Sequence, residues 1–207
     1  MDLIVPMKHP SAGKSRLRGA VEAQRHARLV LALASDTLAA VTSAARVRRV
    51  LLVAADPAAV AVLAELGVEL VAESGQGLNA ALRQGEALLR ADDPGGVVGA
   101  LQADLPALRA GDLSDALAEA AGRRAFVADR QGTGTTLLLS APGAALSPYF
   151  GSGSARAHES SGAVALGAPL ESLRSDVDTP DDLAHVCGLG VGKHTAALLG
   201  DPCVARG

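Results

Sequence analysis

The chain has 207 residues, 49% of them apolar, and a formal net charge of −3, enough for one domain with a large core. Its only aromatics are Phe126, Tyr149 and Phe150, and it has no basic run, which argues against a base-stacking platform or a phosphate-backbone binder and so against a nucleic-acid partner. No apolar segment is long enough to span a bilayer, and the opening run is strand-like rather than a cleavable leader, so a soluble cytoplasmic protein without a membrane partner is expected. Cys187 and Cys203 match no zinc spacing and read as free thiols.

Strand-like and helical runs alternate. LIVPM, from Leu3, is the first strand. From Val21 to Ala44 apolar residues recur at helical spacing, with Leu29, Leu33 and Val41 among the buried candidates. RVLLVA, ending at Ala54, is a second strand. Asp56-Pro57 then starts a helix that runs to Leu66 and stops at Gly67. VELVAE is a third strand. SGQGLNAALRQGEALLR is a glycine loop entering a helix, with Asn79 as a helix-start residue or an amide aimed at a ligand. VVGALQAD is a fourth strand ending at Asp104. Asp112 is expected to cap a helix that stops at Gly122. RAFVAD and TTLLLS are two more strands, and Ser154 to Ala157 starts a short helix. Thr179-Pro180-Asp181-Asp182 caps the last helix with proline in its first turn, and GLGVG reads as its stop. Residues 1–199 read as a single domain and 200–207 as a loose tail. The βα alternation implies an α/β fold, a mostly parallel sheet covered by helices on both faces.

Loops that follow strands in such sheets gather at one edge, where ligands bind. PMKHPSAGKSRL brings Lys8, Lys14 and Arg16 beside Gly13, a set suited to a triphosphate. Its AGKS resembles the end of a P-loop, but the defining first glycine of that motif is Lys8. Asp104 closes a long apolar run, where a carboxylate is costly unless partnered. Asp176 and Asp178, two residues apart in LRSDVDTP, point the same way if the segment is extended. Together the three aspartates make a hard-oxygen set suited to Mg2+, although Asp178 could instead cap the last helix. GTGTT and FGSGSAR offer backbone N–H groups and hydroxyls to a phosphate, or are a hairpin turn and a surface loop. His158 reads as structural rather than as a catalytic base. Metal plus phosphate cradles point to phosphoryl or nucleotidyl transfer.

Six motifs, PMKHPSAGKSRL, GQGLNAAL, QADLPAL, DRQGTGTTLL, FGSGSARAH and LRSDVDTPDDL, resemble in order and spacing those of the guanylyltransferases of coenzyme F-420 biosynthesis. These are the phosphoenolpyruvate guanylyltransferases of actinobacteria and the related 2-phospho-L-lactate guanylyltransferases. The resemblance runs to about Leu199. It implies a three-layer α/β/α Rossmann-like sandwich of the GT-A nucleotidyltransferase type, and a reaction that joins GTP to the phosphate of a three-carbon phospho-acid, with Mg2+ as cofactor. It further implies Thr136, Gly151 and Ser154 as ligands of the phospho-acid. Asp104, Asp176 and Asp178 are the implied metal carboxylates, and Asp104 and Lys14 the implied catalytic groups. Lys8, Gly13, Lys14, Arg16, Gly77 and Asn79 are the implied nucleotide-binding residues. Phosphoenolpyruvate is the expected acceptor. Phospholactate, another acceptor such as a pterin or sugar phosphate, and a regulatory nucleotide-binding domain without turnover are the alternatives. The oligomeric state, a homo-oligomer included, is open.

Overall fold

The computed structural model describes residues 1–12, 17 and 23–200. In chain order these form β1 (Asp2–Met7), α1 (Ala23–Thr42), β2 (Arg49–Ala54), a 3-10 helix (Ala58–Leu66), β3 (Glu69–Ala72), α2 (Leu78–Asp92), β4 (Val98–Leu101) and α3 (Ala110–Ala120). There follow β5 (Ala125–Ala128), β6 (Thr135–Leu139), α4 (Ser154–Ser160), β7 (Val164–Ala165), α5 (Glu171–Arg174), α6 (Pro180–Leu189) and α7 (Lys193–Leu199). One sheet takes the strands in the order β3-β2-β1-β4-β6-β5-β7. β1, β2, β3 and β4 pair in parallel, as do β5 and β7; β6 runs antiparallel to both its neighbours, β4 and β5. The sheet is thus mostly parallel, with one reversed strand set between two parallel groups.

Alternation along the strands builds two cores. Leu3, Val5, Leu52, Val127, Leu137 and Leu139 face one side, with Leu38 and Val41 of α1 and Leu113 and Leu117 of α3. Ile4, Leu51, Val53, Phe126 and Leu138 face the other, with Leu82 and Leu89 of α2 and Ala155 of α4. Helices on both faces of the sheet give the α/β/α sandwich.

Several local expectations change. The segment 58–66 winds as a 3-10 helix, and its buried Val60 and Leu63 stand three apart, the repeat of that tighter winding. Asp112 does not cap α3. Its carboxylate accepts the Ser172 hydroxyl at 2.7 Å, and the Ser172 oxygen accepts the Arg109 N–H at the helix entrance at 3.0 Å. The serine, remote in sequence, thus does the capping through space. Thr179 and Asp182 form the expected capping box of α6, but α6 is not last: α7 packs on α1, where Asp36 accepts the N–H groups of His194 and Thr195. Cys187 is disulfide-bonded, not a free thiol; bonding depends on proximity in space, which spacing along the chain does not report. Cys203, with the tail from residue 201, lies outside the described residues. Among the described residues no helix is long and apolar enough to cross a membrane.

Candidate active site

The chain order reverses at β1. It builds outward through β2 and β3, then returns to lay β4 on the other side. Such a reversal opens a crevice at the carboxyl ends of the strands. A cleft of about 370 Å3 lies there, lined by Lys8 after β1, Glu73 and Gly77 after β3, Gln102 and Asp104 after β4, and Asp178. Gly77 takes φ +89° at the entrance to α2, a conformation that favours glycine. No side chain caps α2, so the positive end of a 15-residue helix meets the cleft.

Of the nucleotide-binding candidates, Lys8 and Gly77 therefore share one cleft, while Gly13, Lys14 and Arg16 lie outside the described residues. Asn79 is not a cap. It sits one position past Leu78 and is not among the residues lining the cleft, with both ends of its amide on the backbone of Phe150. Asp104 is buried and Asp178 exposed, yet both line the cleft. Between the last two aspartates, Val177 is fully buried and its N–H donates to the Asp104 carbonyl at 3.1 Å. That bond carries Asp176 and Asp178 to the end of β4. Asp176, half-buried, is not among the residues lining the cleft. Asp182 steadies the segment. Its Oδ2 accepts from the N–H groups of Asp178 and Thr179 and from the Thr179 hydroxyl, and its Oδ1 from the Arg130 guanidinium at 3.0 Å. Burial alone would raise its pKa; the bonds from Thr179, Arg130 and the Asp178 N–H hold it below the usual carboxylate value.

No group of three or more His, Cys, Asp or Glu side chains among the described residues could hold a metal ion unaided. Mg2+ does not require one, since it commonly takes one or two carboxylates and completes its shell with water and phosphate. Two hard-oxygen carboxylates on one cleft, Asp104 and Asp178, fit that demand.

The acceptor candidates sit apart from the cleft lining. Thr136 is fully buried in β6. Its hydroxyl donates to the Val127 carbonyl at a long 3.4 Å, and its carbonyl accepts the N–H of Gln102, a cleft residue, at 3.0 Å. Gly151 is exposed at φ +140°. Ser154 opens α4, buried, its hydroxyl donating to Thr135 Oγ1 at 3.2 Å. Thr135 in turn meets His158 Nδ1 at 2.9 Å, and His158 Nε2 accepts the Tyr149 N–H at 2.9 Å. Accepting at Nε2 fixes the neutral ring with its proton on Nδ1. Burial, then the Arg124 charge, push the His158 pKa down to about 4. The ring is a structural brace, as its sequence position suggested. In GTGTT, the N–H groups of Thr133 and Gly134 donate to the Asp129 carboxylate at 2.8 and 2.7 Å. That stretch is a hairpin turn wrapped on Asp129, its donors already engaged.

Sequence reading missed Glu73 and Gln102 in the cleft, although each closes or follows a recognised strand, which is the signal that would have found them. It also missed the support given by Asp182 and Asn79, whose partners are remote along the chain.

The family model described as "Guanylyl transferase CofC like" matches residues 1–201. A phosphoenolpyruvate guanylyltransferase of Streptomyces scabiei is 51% identical over 202 residues, covering 94% of each chain. One of Geodermatophilus obscurus is 51% identical over 96% of this chain and 93% of its own. Among solved structures, one assigned as a nucleotide-diphospho-sugar transferase from Desulfovibrio desulfuricans superposes with a TM-score of 0.72 at 19% identity, over 96% of this chain and 93% of that one. A 4-diphosphocytidyl-2C-methyl-D-erythritol synthase superposes with a TM-score of 0.62 at 16% identity, over 89% and 95%. These two likenesses concern the fold, that of nucleotidyltransferases.

Proposed function

The chain belongs to the CofC-like family of guanylyl transferases, and we propose from that premise that it transfers the guanylyl group of GTP to phosphoenolpyruvate. Pyrophosphate leaves, and the product is enolpyruvyl-diphospho-guanosine, an activated acid for coenzyme F-420 assembly. The observation that carries this reading is the convergence of Lys8, Gly77, Asp104 and Asp178 on one cleft at the strand ends.

The reaction needs no protein nucleophile. An anionic oxygen of the acceptor phosphate attacks the α-phosphorus of GTP in line. The new P–O bond forms as the bond from the α-phosphorus to the β-phosphate oxygen breaks, and the electron pair leaves with pyrophosphate. The chain's share is positioning and electrostatics. Lys8, followed in the sequence by the further cations Lys14 and Arg16, neutralises the leaving pyrophosphate. Backbone N–H groups at the open end of α2, behind Gly77, donate to phosphate oxygens. Asp104 and Asp178 would hold Mg2+, with Asp176 beside them; when bound, the ion neutralises charge on the reacting phosphates. Gly151 and Ser154, with Thr136 beneath, form the acceptor side.

Mass spectrometry of the product from GTP with each acceptor tests the reading. Phosphoenolpyruvate should give the guanylylated acid with a kcat/KM about five- to thirtyfold above that for 2-phospho-L-lactate, the discrimination that one or two kcal/mol of shape fit supplies. Preference for phospholactate would reassign the acceptor. No GTP-dependent product with either would overturn the function.

A further inference from the structure

Asn79 stands in the first turn of α2, between the cleft-lining Leu78 and Ala81, and its side chain reaches a segment 71 residues away. The amide Nδ2 donates to the Phe150 carbonyl at 2.9 Å, and the Phe150 N–H donates to Oδ1 at 2.9 Å. A carboxamide suits this task because it offers a donor and an acceptor in one plane, so that a single short side chain can satisfy both polar groups of one peptide residue. The residue held this way directly precedes Gly151.

The neighbouring contacts make the grip more than local. The Phe150 ring is buried and meets the His158 ring edge-on, centroids 5.0 Å apart. One residue earlier, the Tyr149 N–H is held by His158 Nε2 at 2.9 Å. The two residues that lead into Gly151 are therefore gripped from α4 by His158 and from α2 by Asn79. Gly151, in contrast, has open space where a side chain would point and a φ of +140°. Its placement depends on what holds the residue before it.

We infer that Asn79 is a positioning residue for the acceptor: it fixes the Phe150–Gly151 backbone relative to the mouth of the nucleotide cleft, and touches neither substrate. This rests on the reading of 150–154 as the acceptor side. α2 thereby serves both substrates, with its Gly77 end at the cleft and Asn79, two residues on, setting the register of the acceptor loop. A ligand that moves the start of α2 moves Phe150 with it.

The test is steady-state pyrophosphate release with GTP and phosphoenolpyruvate, each varied at saturation of the other, in the wild type, Asn79→Leu and Asn79→Ser. Leucine keeps the size of asparagine and suits a helix, but leaves the Phe150 N–H and carbonyl without partners; serine is the milder change. The KM for the acceptor should rise about tenfold or more in the leucine variant, and less in the serine variant, while the KM for GTP stays within about twofold. A merely structural role would lower the melting temperature and the active fraction and leave both KM values in place, which overturns the inference. So does a rise in the GTP KM alone, which would put Asn79 against the nucleotide. If the leucine variant does not fold, the serine variant decides by the same split. A wild type that releases no pyrophosphate overturns the functional reading itself and is seen before any variant is compared.

Discussion

The two sides proposed for the site, one for the nucleotide and one for the acceptor, are built in opposite ways. On the nucleotide side, parallel strands β1, β3 and β4 end in loops that open onto solvent, with an exposed lysine and an exposed aspartate at the mouth of the cleft. On the acceptor side, reversed strand β6 and helix α4 bury Thr135, Thr136, Ser154 and His158 almost completely and bond three of them in one chain. An open, charged cleft suits a large polyanion that brings its own counterions. A small acid offers few contacts, and a rigid, pre-organised loop spends little binding free energy on ordering. The difference teaches that nucleotide-side variants should act through charge, and acceptor-side variants through geometry.

The largest effect is expected from Asp104→Asn. Size is kept and charge lost at the buried end of β4, so kcat should fall about a hundredfold or more, in line with loss of an electrostatic term of a few kcal/mol. The melting temperature should barely change. Near wild-type kcat in a folded variant, at limiting Mg2+, would break the assignment of charge to this side.

The acceptor side makes a prediction about pH. His158 titrates near 6.5 in the unfolded chain and near 4 in the fold. Between those values the unfolded state binds more protons, so the stability gained from the neutral buried ring is complete above about pH 6.5 and is lost as pH falls toward 4. The loss is on the order of 3 kcal/mol. Melting curves of the wild type should fall through this window, and those of His158→Gln, which has no proton to gain there, should fall less. Parallel curves would show that the brace is not the titrating group.

Much of this contrast was legible in the sequence. Asp104 was readable because a carboxylate ends an apolar strand, and Asp178 because its motif precedes a helix capped by Thr179 and Asp182. The parallel sheet followed from the βα alternation. The reversal of β6 did not, because strand direction depends on pairing partners and not on apolar pattern. Asn79 looked like a helix-start or ligand residue because its two partners belong to Phe150, far along the chain. GTGTT looked like a phosphate cradle because its composition is that of a turn, and only the position of Asp129 shows where the donors go. Residues that act through close neighbours announce themselves in sequence; those that brace distant segments do not.

Ser154→Ala removes the hydroxyl that donates to Thr135 Oγ1 and should raise the KM for phosphoenolpyruvate about two- to tenfold through the placement of the α4 entrance, with little change for GTP, a neutral hydrogen bond being worth roughly 0.5–1.5 kcal/mol. A rise confined to GTP would exchange the two sides. Thr179→Ala is the smallest change. Loss of the capping box should cost about 1 kcal/mol in denaturant melts and reach activity only through Asp178, whose backbone N–H Asp182 holds at 3.2 Å. An unchanged stability would show that Asp182 holds the segment without the threonine.

The most direct test of the two-sided site is a crystal structure with phosphoenolpyruvate and a GTP analogue whose α,β-bridge cannot be cleaved. The triphosphate should lie in the cleft between Lys8, Gly77 and Asp104, and the acid's phosphate within hydrogen-bond distance of Gly151 and Ser154, its oxygen facing the α-phosphorus. Density for the acid in the cleft, or for the triphosphate against Gly151 and Ser154, would contradict the account.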